Sequence, residues 1–96
     1  MFVVILKYKK PLEDVERVGP AHREFLDRYY AKGNFIVSGR QNPPVGGMII
    51  CNASSREEVE AITKEDPFNT EGIADYTIVE FNPTKHARDF APFLES

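Results

Sequence analysis

Within the first segment, Phe2 to Tyr8, apolar residues fill the consecutive positions from Phe2 to Leu6 instead of alternating with polar ones. The segment is rich in β-branched and aromatic residues, which favours a strand. Successive side chains of a strand point to opposite faces, so its apolar residues form two sets: Phe2, Val4 and Leu6 on one face, Val3 and Ile5 on the other. Both faces of this strand are therefore expected to be covered.

A helix is predicted between Leu12 and Lys32, after Pro11 ends the strand pattern. Its apolar residues recur at helical spacings on one side: Val18, Phe25, Leu26 and Tyr29. Gly19-Pro20 interrupts this pattern, so either the helix proper starts at Pro20 or it kinks there. Gly33-Asn34 is expected to end it.

Three further strands and a second helix follow. The strands are predicted at Phe35 to Ser38, Met48 to Cys51 and Tyr76 to Phe81. The helix starts after a cap at Ser54 or Ser55, with Glu57 or Glu58 three residues on, which is a capping-box pattern. Val59 and Ile62 form its apolar side.

The element order β-α-β-β-α-β predicts an α+β, ferredoxin-like protomer: one antiparallel four-stranded sheet with both helices on one face. The opposite face is left bare, although the first and last strands are apolar on both faces. An apolar patch of that size marks an interface, so two copies are expected to pack sheet against sheet as a dimeric α/β barrel. This domain spans residues 1–83, and the tail, residues 84–96, is expected to form a short docked helix through Phe90, Phe93 and Leu94.

Composition limits the function further. With 96 residues, the chain is one domain, and its net charge of −3 without a dense basic cluster argues against nucleic-acid binding. One cysteine and two histidines cannot form a thiolate zinc site or an internal disulfide, so no metal is expected. The apolar run near the N-terminus is too short for a secretory signal or a membrane span, which predicts a cytoplasmic protein without a membrane partner.

Two polar residues interrupt the apolar sides of the two helices. His22 lies four residues after Val18 and three before Phe25. Asp66 lies four residues after Ile62, and Pro67 is expected to end the second helix there. In this topology the helices run antiparallel, so the early part of the first lies beside the end of the second. His22 and Asp66 are therefore predicted to meet in a cleft.

Pairing removes most of the cost of burying these two groups, which is about 1–3 kcal/mol for an unpaired polar group. A histidine held by an aspartate also has a fixed tautomer and can act as a general base. The alternative is that the pair is only a satisfied structural contact, because structural ion pairs also perturb titration.

The sequence resembles the YciI-like (YCII-related) family of small dimeric α/β-barrel proteins over Phe2 to about Pro83. The order and spacing of five short motifs carry the resemblance: "PAHREFL" at 20–26, "SGR" at 38–40, "GG" at 46–47, "EDPF" at 65–68 and "GI" at 72–73. It implies a ferredoxin-like protomer, a face-to-face dimer and a His–Asp site on His22 and Asp66. The wider group includes lactone isomerases and a dehydrochlorinase acting on products of aromatic-ring breakdown.

The chain departs from the family pattern at two positions. The family often has an arginine three residues before the histidine, where this chain has Gly19, and a proline where it has Arg40. If the missing arginine holds an anionic substrate, then Arg17, Arg23 or Arg40 replaces it, or the substrate differs.

Four further residues are candidates for substrate contact. Ser38 and Tyr8 end strands, although a turn serine and a plain sheet aromatic are the alternatives. Arg40 follows Ser38, and Phe68 is expected to wall the cleft with an apolar surface. Cys51 follows two isoleucines and is interpreted as a small buried hydrophobic residue.

Two functions remain open. The first is a cofactor-independent enzyme of lyase, isomerase or dehydrochlorinase type, in which His22 and Asp66 perform general acid–base chemistry on a small cyclic or aromatic-derived acid. The second is a non-catalytic dimeric module that binds a small metabolite in the same cleft. Both involve a homodimer, and whether dimers assemble further is left open.

Overall fold

Four strands form a single antiparallel sheet in the order β2-β3-β1-β4. The computed structural model describes residues 1–94. In chain order the elements are β1 (Phe2–Tyr8), α1 (Leu12–Ala31), β2 (Phe35–Arg40), β3 (Gly46–Cys51), α2 (Arg56–Thr63), α3 (Pro67–Thr70), β4 (Ala74–Glu80) and a 3₁₀ helix (Arg88–Leu94). The ferredoxin-like α+β fold is confirmed, with α3 as an added short helix.

The helices cover the face of the sheet that carries the first of the two apolar sets of β1. Phe2, Val4 and Leu6 are buried, and Val4 lies between Ile49 of β3 and Ile78 of β4. Side chains of α1 and α2 complete this core, among them Val15, Val18, Phe25, Val59 and Ile62. The second set of β1 is therefore on the outer face.

The outer face carries a continuous apolar row. Val3 is paired with Ile50 and Val79, and Ile5 is paired with Met48. Val79 and Met48 are 44% and 42% exposed, and Val37 of the edge strand β2 is 54% exposed. This outer face of the sheet is the surface on which the sequence predicts a second copy to pack.

Helix α1 runs without a break from Leu12 to Ala31 and contains Pro20. The helix therefore does not start at Pro20. A side chain before proline normally clashes with the proline ring in the α conformation, and Gly19 has no Cβ to make that clash. The helix ends where expected, since Gly33 adopts a φ of 85° and its N–H donates to the Tyr30 carbonyl at 3.1 Å.

Both candidate serines serve the N-terminus of α2. Ser55 is the N-cap, and its hydroxyl accepts a hydrogen bond from the Glu58 N–H at 3.1 Å. The Glu58 carboxylate accepts bonds from the Ser54 hydroxyl at 2.6 Å and the Ser54 N–H at 3.1 Å. These bonds lower the pKa of Glu58. The capping pattern seen in the sequence is thus shared between two adjacent residues.

The two glycines at the start of β3 lie in different surroundings. A Cβ on Gly46 would lie 1.7 Å from the Leu6 carbonyl oxygen, so β1 and β3 approach closely only because that position has no side chain. Gly47, by contrast, faces the cavity described below.

Cys51 is fully buried, as expected, and burial raises its pKa to about 11.

Beyond β4, the 3₁₀ helix has no buried residue, and the Asn52 side chain donates a hydrogen bond to the Phe93 carbonyl. The last two residues of the predicted tail lie outside the described residues.

Candidate active site

The segment Asp66-Pro67-Phe68 forms the start of α3. Helix α2 ends at Thr63, with Lys64 as its C-cap, so Asp66 lies beyond α2 instead of on its last turn. Asp66 is extended, with φ −67° and ψ 125°, as the residue before a proline prefers. It is the N-cap of α3, and its side chain accepts a hydrogen bond from the Phe68 N–H at 2.9 Å. Pro67 occupies the first helical position, where its missing N–H has no consequence.

The Asp66 carboxylate is fully buried and accepts three hydrogen bonds. Oδ1 accepts from Nδ1 of His22 at 2.7 Å as well as from the Phe68 N–H. Oδ2 accepts from the Tyr76 hydroxyl at 2.5 Å. Three donors around one carboxylate compensate the loss of water that burial imposes. The predicted hydrogen bond between His22 and Asp66 is therefore present, inside a larger network.

Tyr76 is a member of this network that the sequence did not point to. It lies on β4 opposite Leu6, on the helix-covered face of the sheet. Burial and the neighbouring Asp66 charge both raise the pKa of Tyr76. The hydroxyl therefore keeps its proton and remains a donor to Asp66.

Two neighbours fix the ring of His22. Its Nδ1 bonds to Asp66, and its plane stacks on the Phe68 ring with a centroid distance of 3.9 Å and an angle of 8°. The His22 side chain is 15% exposed. Nε2 forms no hydrogen bond with any residue in the described part of the chain, so it is free to meet a ligand.

His22 lies in the wall of a cavity of about 460 Å³ between α1, the sheet and α3. All four predicted substrate contacts line the same cavity: Tyr8, Ser38, Arg40 and Phe68. Asp66 is not in its wall, because it lies behind the histidine. Leu6, Val15, Leu26 and Ile49 add apolar surface. A cavity that combines apolar surface with convergent polar groups is the ordinary form of a small-molecule site.

Several polar side chains of the cavity already have partners. The Arg40 guanidinium donates to the Tyr8 hydroxyl at 3.3 Å and to the Glu16 carboxylate at 3.4 Å. Ser38 shares a hydrogen bond of 2.6 Å with the Tyr30 hydroxyl. Glu16 and Tyr30 were missed from the sequence, because nothing in the local pattern links them to β1 or β2.

Within residues 1–94, no group of three or more histidine, cysteine, aspartate or glutamate side chains is arranged to hold a metal ion. His86 is exposed, and its ring nitrogen Nδ1 lies 2.9 Å from the neighbouring Ala87 carbonyl oxygen. No helix in the same range is long and apolar enough to cross a membrane.

Comparison with known proteins identifies the family. The family model described as "YCII-related domain" matches residues 1–82. An uncharacterized protein of Bacillus subtilis (strain 168), YjpA, is 34% identical over 64 residues, covering 67% of this chain and 75% of that protein. The chain belongs to the YCII-related family.

The fold also matches a solved structure. This is 5-chloro-2-hydroxyhydroquinone dehydrochlorinase (TftG) from Burkholderia phenoliruptrix AC1100, in complex with 2,5-dihydroxybenzoquinone. The TM-score is 0.72 at 22% sequence identity, over 93% of this chain and 98% of the other. At this level of identity the match concerns the fold.

Proposed function

We propose that this YCII-related protein is a cofactor-independent enzyme of lyase, isomerase or dehydrochlorinase type. The observation that carries the proposal is the position of His22, whose Nδ1 is held by a fully buried carboxylate while the ring lies in a cavity wall. A purely structural pair has no need to line a cavity. The arrangement is that of a general base with its orienting group.

In the proposed reaction, Nε2 of His22 removes a proton from a carbon or hydroxyl of the substrate. Asp66 keeps the second proton on Nδ1 and stabilises the imidazolium that forms. The electron pair left on the substrate then forms a double bond. In an elimination, a leaving group such as chloride departs with its own pair; in an isomerisation, the imidazolium returns the proton to another substrate atom. Neither route needs an oxidant or reductant.

The substrate class is a small cyclic or aromatic-derived acid. A cavity of about 460 Å³ is of the size that holds small organic ligands. The Phe68 and His22 rings stack on each other, and this aromatic pair lines the cavity beside a planar substrate. TftG, which has the same fold, is a dehydrochlorinase bound to a quinone, which supports a ring substrate of this kind.

The alternative is a non-catalytic module that binds a small metabolite in the same cavity. The hydrogen bonds of Arg40 and Ser38 favour it, because these side chains already form a fixed polar lining. Both functions predict that a ligand binds in the cavity, but only the enzyme predicts turnover, so a turnover measurement distinguishes them.

The experiment is a turnover screen. Purified protein is incubated with small lactones and with hydroxylated or halogenated aromatic acids, and absorbance, chloride release and NMR spectra are followed. We expect turnover of at least one compound, with a rate that depends on pH through a single basic group. Tight binding without turnover across the panel would favour the module instead.

We also propose a homodimer in which the outer faces of two sheets pack together. The apolar row around Val3, Ile5 and Val79 is the surface it would bury. Sedimentation at micromolar concentration should give a mass of about twice the 10.9 kDa of one chain. Val79→Asp should shift the protein toward monomer, because it would bury two unpaired carboxylates.

Val45→Asp is the matched control for this experiment. Val45 is 51% exposed, like Val79, but lies in the loop before β3 and away from the outer face. The Val45→Asp variant should leave the dimer intact. A wild-type monomer under these conditions, or equal behaviour of the two variants, would rule out this interface. Higher assembly, cytoplasmic location and the lack of nucleic-acid partners stay predictions.

A further inference from the structure

The three arginines left open by the sequence are in different situations. Arg17 pairs with Asp14 on the surface of α1 at 3.5 Å and is not part of the cavity wall. Arg40 lines the cavity but is engaged by Glu16 and Tyr8. Arg23 also lines the cavity. Its side chain forms neither a hydrogen bond nor an ion pair with any of residues 1–94.

The guanidinium of Arg23 folds back by one helical turn onto Gly19. A Cβ on Gly19 would lie 3.2 Å from Nη1 of Arg23, and the three nearest side-chain atoms to that point all belong to this guanidinium. A side chain at position 19 would therefore press on the guanidinium, and glycine leaves room for it. Arg23 also follows His22 directly, and both residues line the cavity.

The balance of charge in the cavity wall favours an anion. Its charged side chains are Glu16, Arg23 and Arg40, of which Glu16 and Arg40 contact each other at 3.4 Å. The negative charge of Asp66 lies behind His22 and is shared among three donors. Within residues 1–94, the positive charge on Arg23 is left without a partner, although the whole chain has a net charge of −3. A guanidinium in this position suits a carboxylate, which it can bind with two parallel hydrogen bonds.

We infer that Arg23 is the anion-binding residue of the site and that it holds the carboxylate of a cyclic acid. The ring then lies beside the stacked pair of His22 and Phe68. This inference rests on the proposed use of the cavity as a substrate site. With this role, Arg23 makes the site prefer an acid over a neutral molecule of the same shape.

The experiment compares benzoate with benzyl alcohol, which has the same ring without the charge. Each is titrated into the protein while the NMR signals of His22 and the methyl groups of Leu26, both in the cavity wall, are followed. Arg23→Gln should weaken benzoate binding by about tenfold or more and leave benzyl alcohol within about twofold. Arg23→Lys should recover part of the loss, because it keeps the charge but not the fork of donors.

Arg17→Gln is the matched control, since it is the same change on the same helix, outside the cavity. It should leave benzoate binding within about twofold of wild type. Equal benzoate affinity of Arg23→Gln and Arg17→Gln would overturn the role of Arg23, and so would a loss confined to Arg40→Gln. Wild-type binding of benzyl alcohol as tight as that of benzoate would also overturn it. These three results leave the proposed enzyme standing. If neither compound shifts the His22 or Leu26 signals, both this inference and the proposed use of the cavity fail.

Discussion

Replacing Asp66 by alanine is expected to lower the free energy of unfolding by about 3–5 kcal/mol. The change leaves three donors without their acceptor: Nδ1 of His22, the Phe68 N–H and the Tyr76 hydroxyl. It also removes the N-cap of α3. A domain of this kind has about 5–15 kcal/mol of stability in total, so the loss is a large share of it. Urea unfolding followed by circular dichroism measures it, with the slope checked for constancy.

Asp75→Ala is the matched control, because it removes a carboxylate that lies in the open. Asp75 pairs with Lys9 at 3.1 Å, and the two side chains are 70% and 47% exposed. Exposed pairs contribute about 0–1 kcal/mol, so this variant should unfold almost like wild type. If the two alanine variants lose similar stability, the Asp66 network does not hold α3 in place.

Asp66→Asn separates the charge from the shape of the network. The amide oxygen can still accept from His22 and Phe68, whereas the amide nitrogen becomes a donor facing the Tyr76 hydroxyl. We expect the fold to survive with a smaller loss than for alanine. Nitrogen chemical shifts of the imidazole report which ring nitrogen carries the proton. The wild type should show the proton on Nδ1, and this preference should weaken in both Asp66 variants.

The sequence predicted the meeting of His22 and Asp66 because a polar residue in an apolar stripe must find a partner. That reasoning was correct in its result and partly wrong in its geometry. It placed Asp66 on the last turn of the second helix, whereas α2 stops at Thr63 and Asp66 opens α3. Proline was interpreted only as the end of a helix, although an aspartate followed by proline also starts one.

Other parts of the site depend on contacts between distant positions, which local patterns do not contain. Tyr76 reaches Asp66 only because α3 lies over the end of β4 that pairs with Leu6. The choice of which face of β1 the helices cover was open for a similar reason, since both faces are apolar. The pairing of Arg40 with Glu16 joins residues 24 positions apart, and it decides which arginine of the cavity has no partner among the described residues.

His22→Asn is expected to reduce kcat/KM by about 10²–10⁴-fold on any substrate found by the screen, while the fold is kept. The asparagine amide nitrogen lies close to the position of Nδ1 and can donate to Asp66 in its place. What the variant lacks is Nε2, the atom assigned to proton transfer. We expect its free energy of unfolding to stay within about 1 kcal/mol of wild type, because the buried carboxylate keeps its donors.

The combination of these two measurements tests the catalytic role of His22 apart from its structural one. If the pair is only structural, His22→Asn would leave turnover near the wild-type rate, and the assignment of the base would be wrong. A variant that loses both stability and turnover would not discriminate, so His22→Gly is measured with added imidazole. Since the cavity of about 460 Å³ adjoins the deleted ring, imidazole can occupy its place. Rate recovery that saturates with imidazole, and follows the fraction of neutral imidazole as pH changes, is expected if Nε2 is the base. The same recovery with an uncharged, non-basic ring such as benzene would show that only the volume of the side chain mattered.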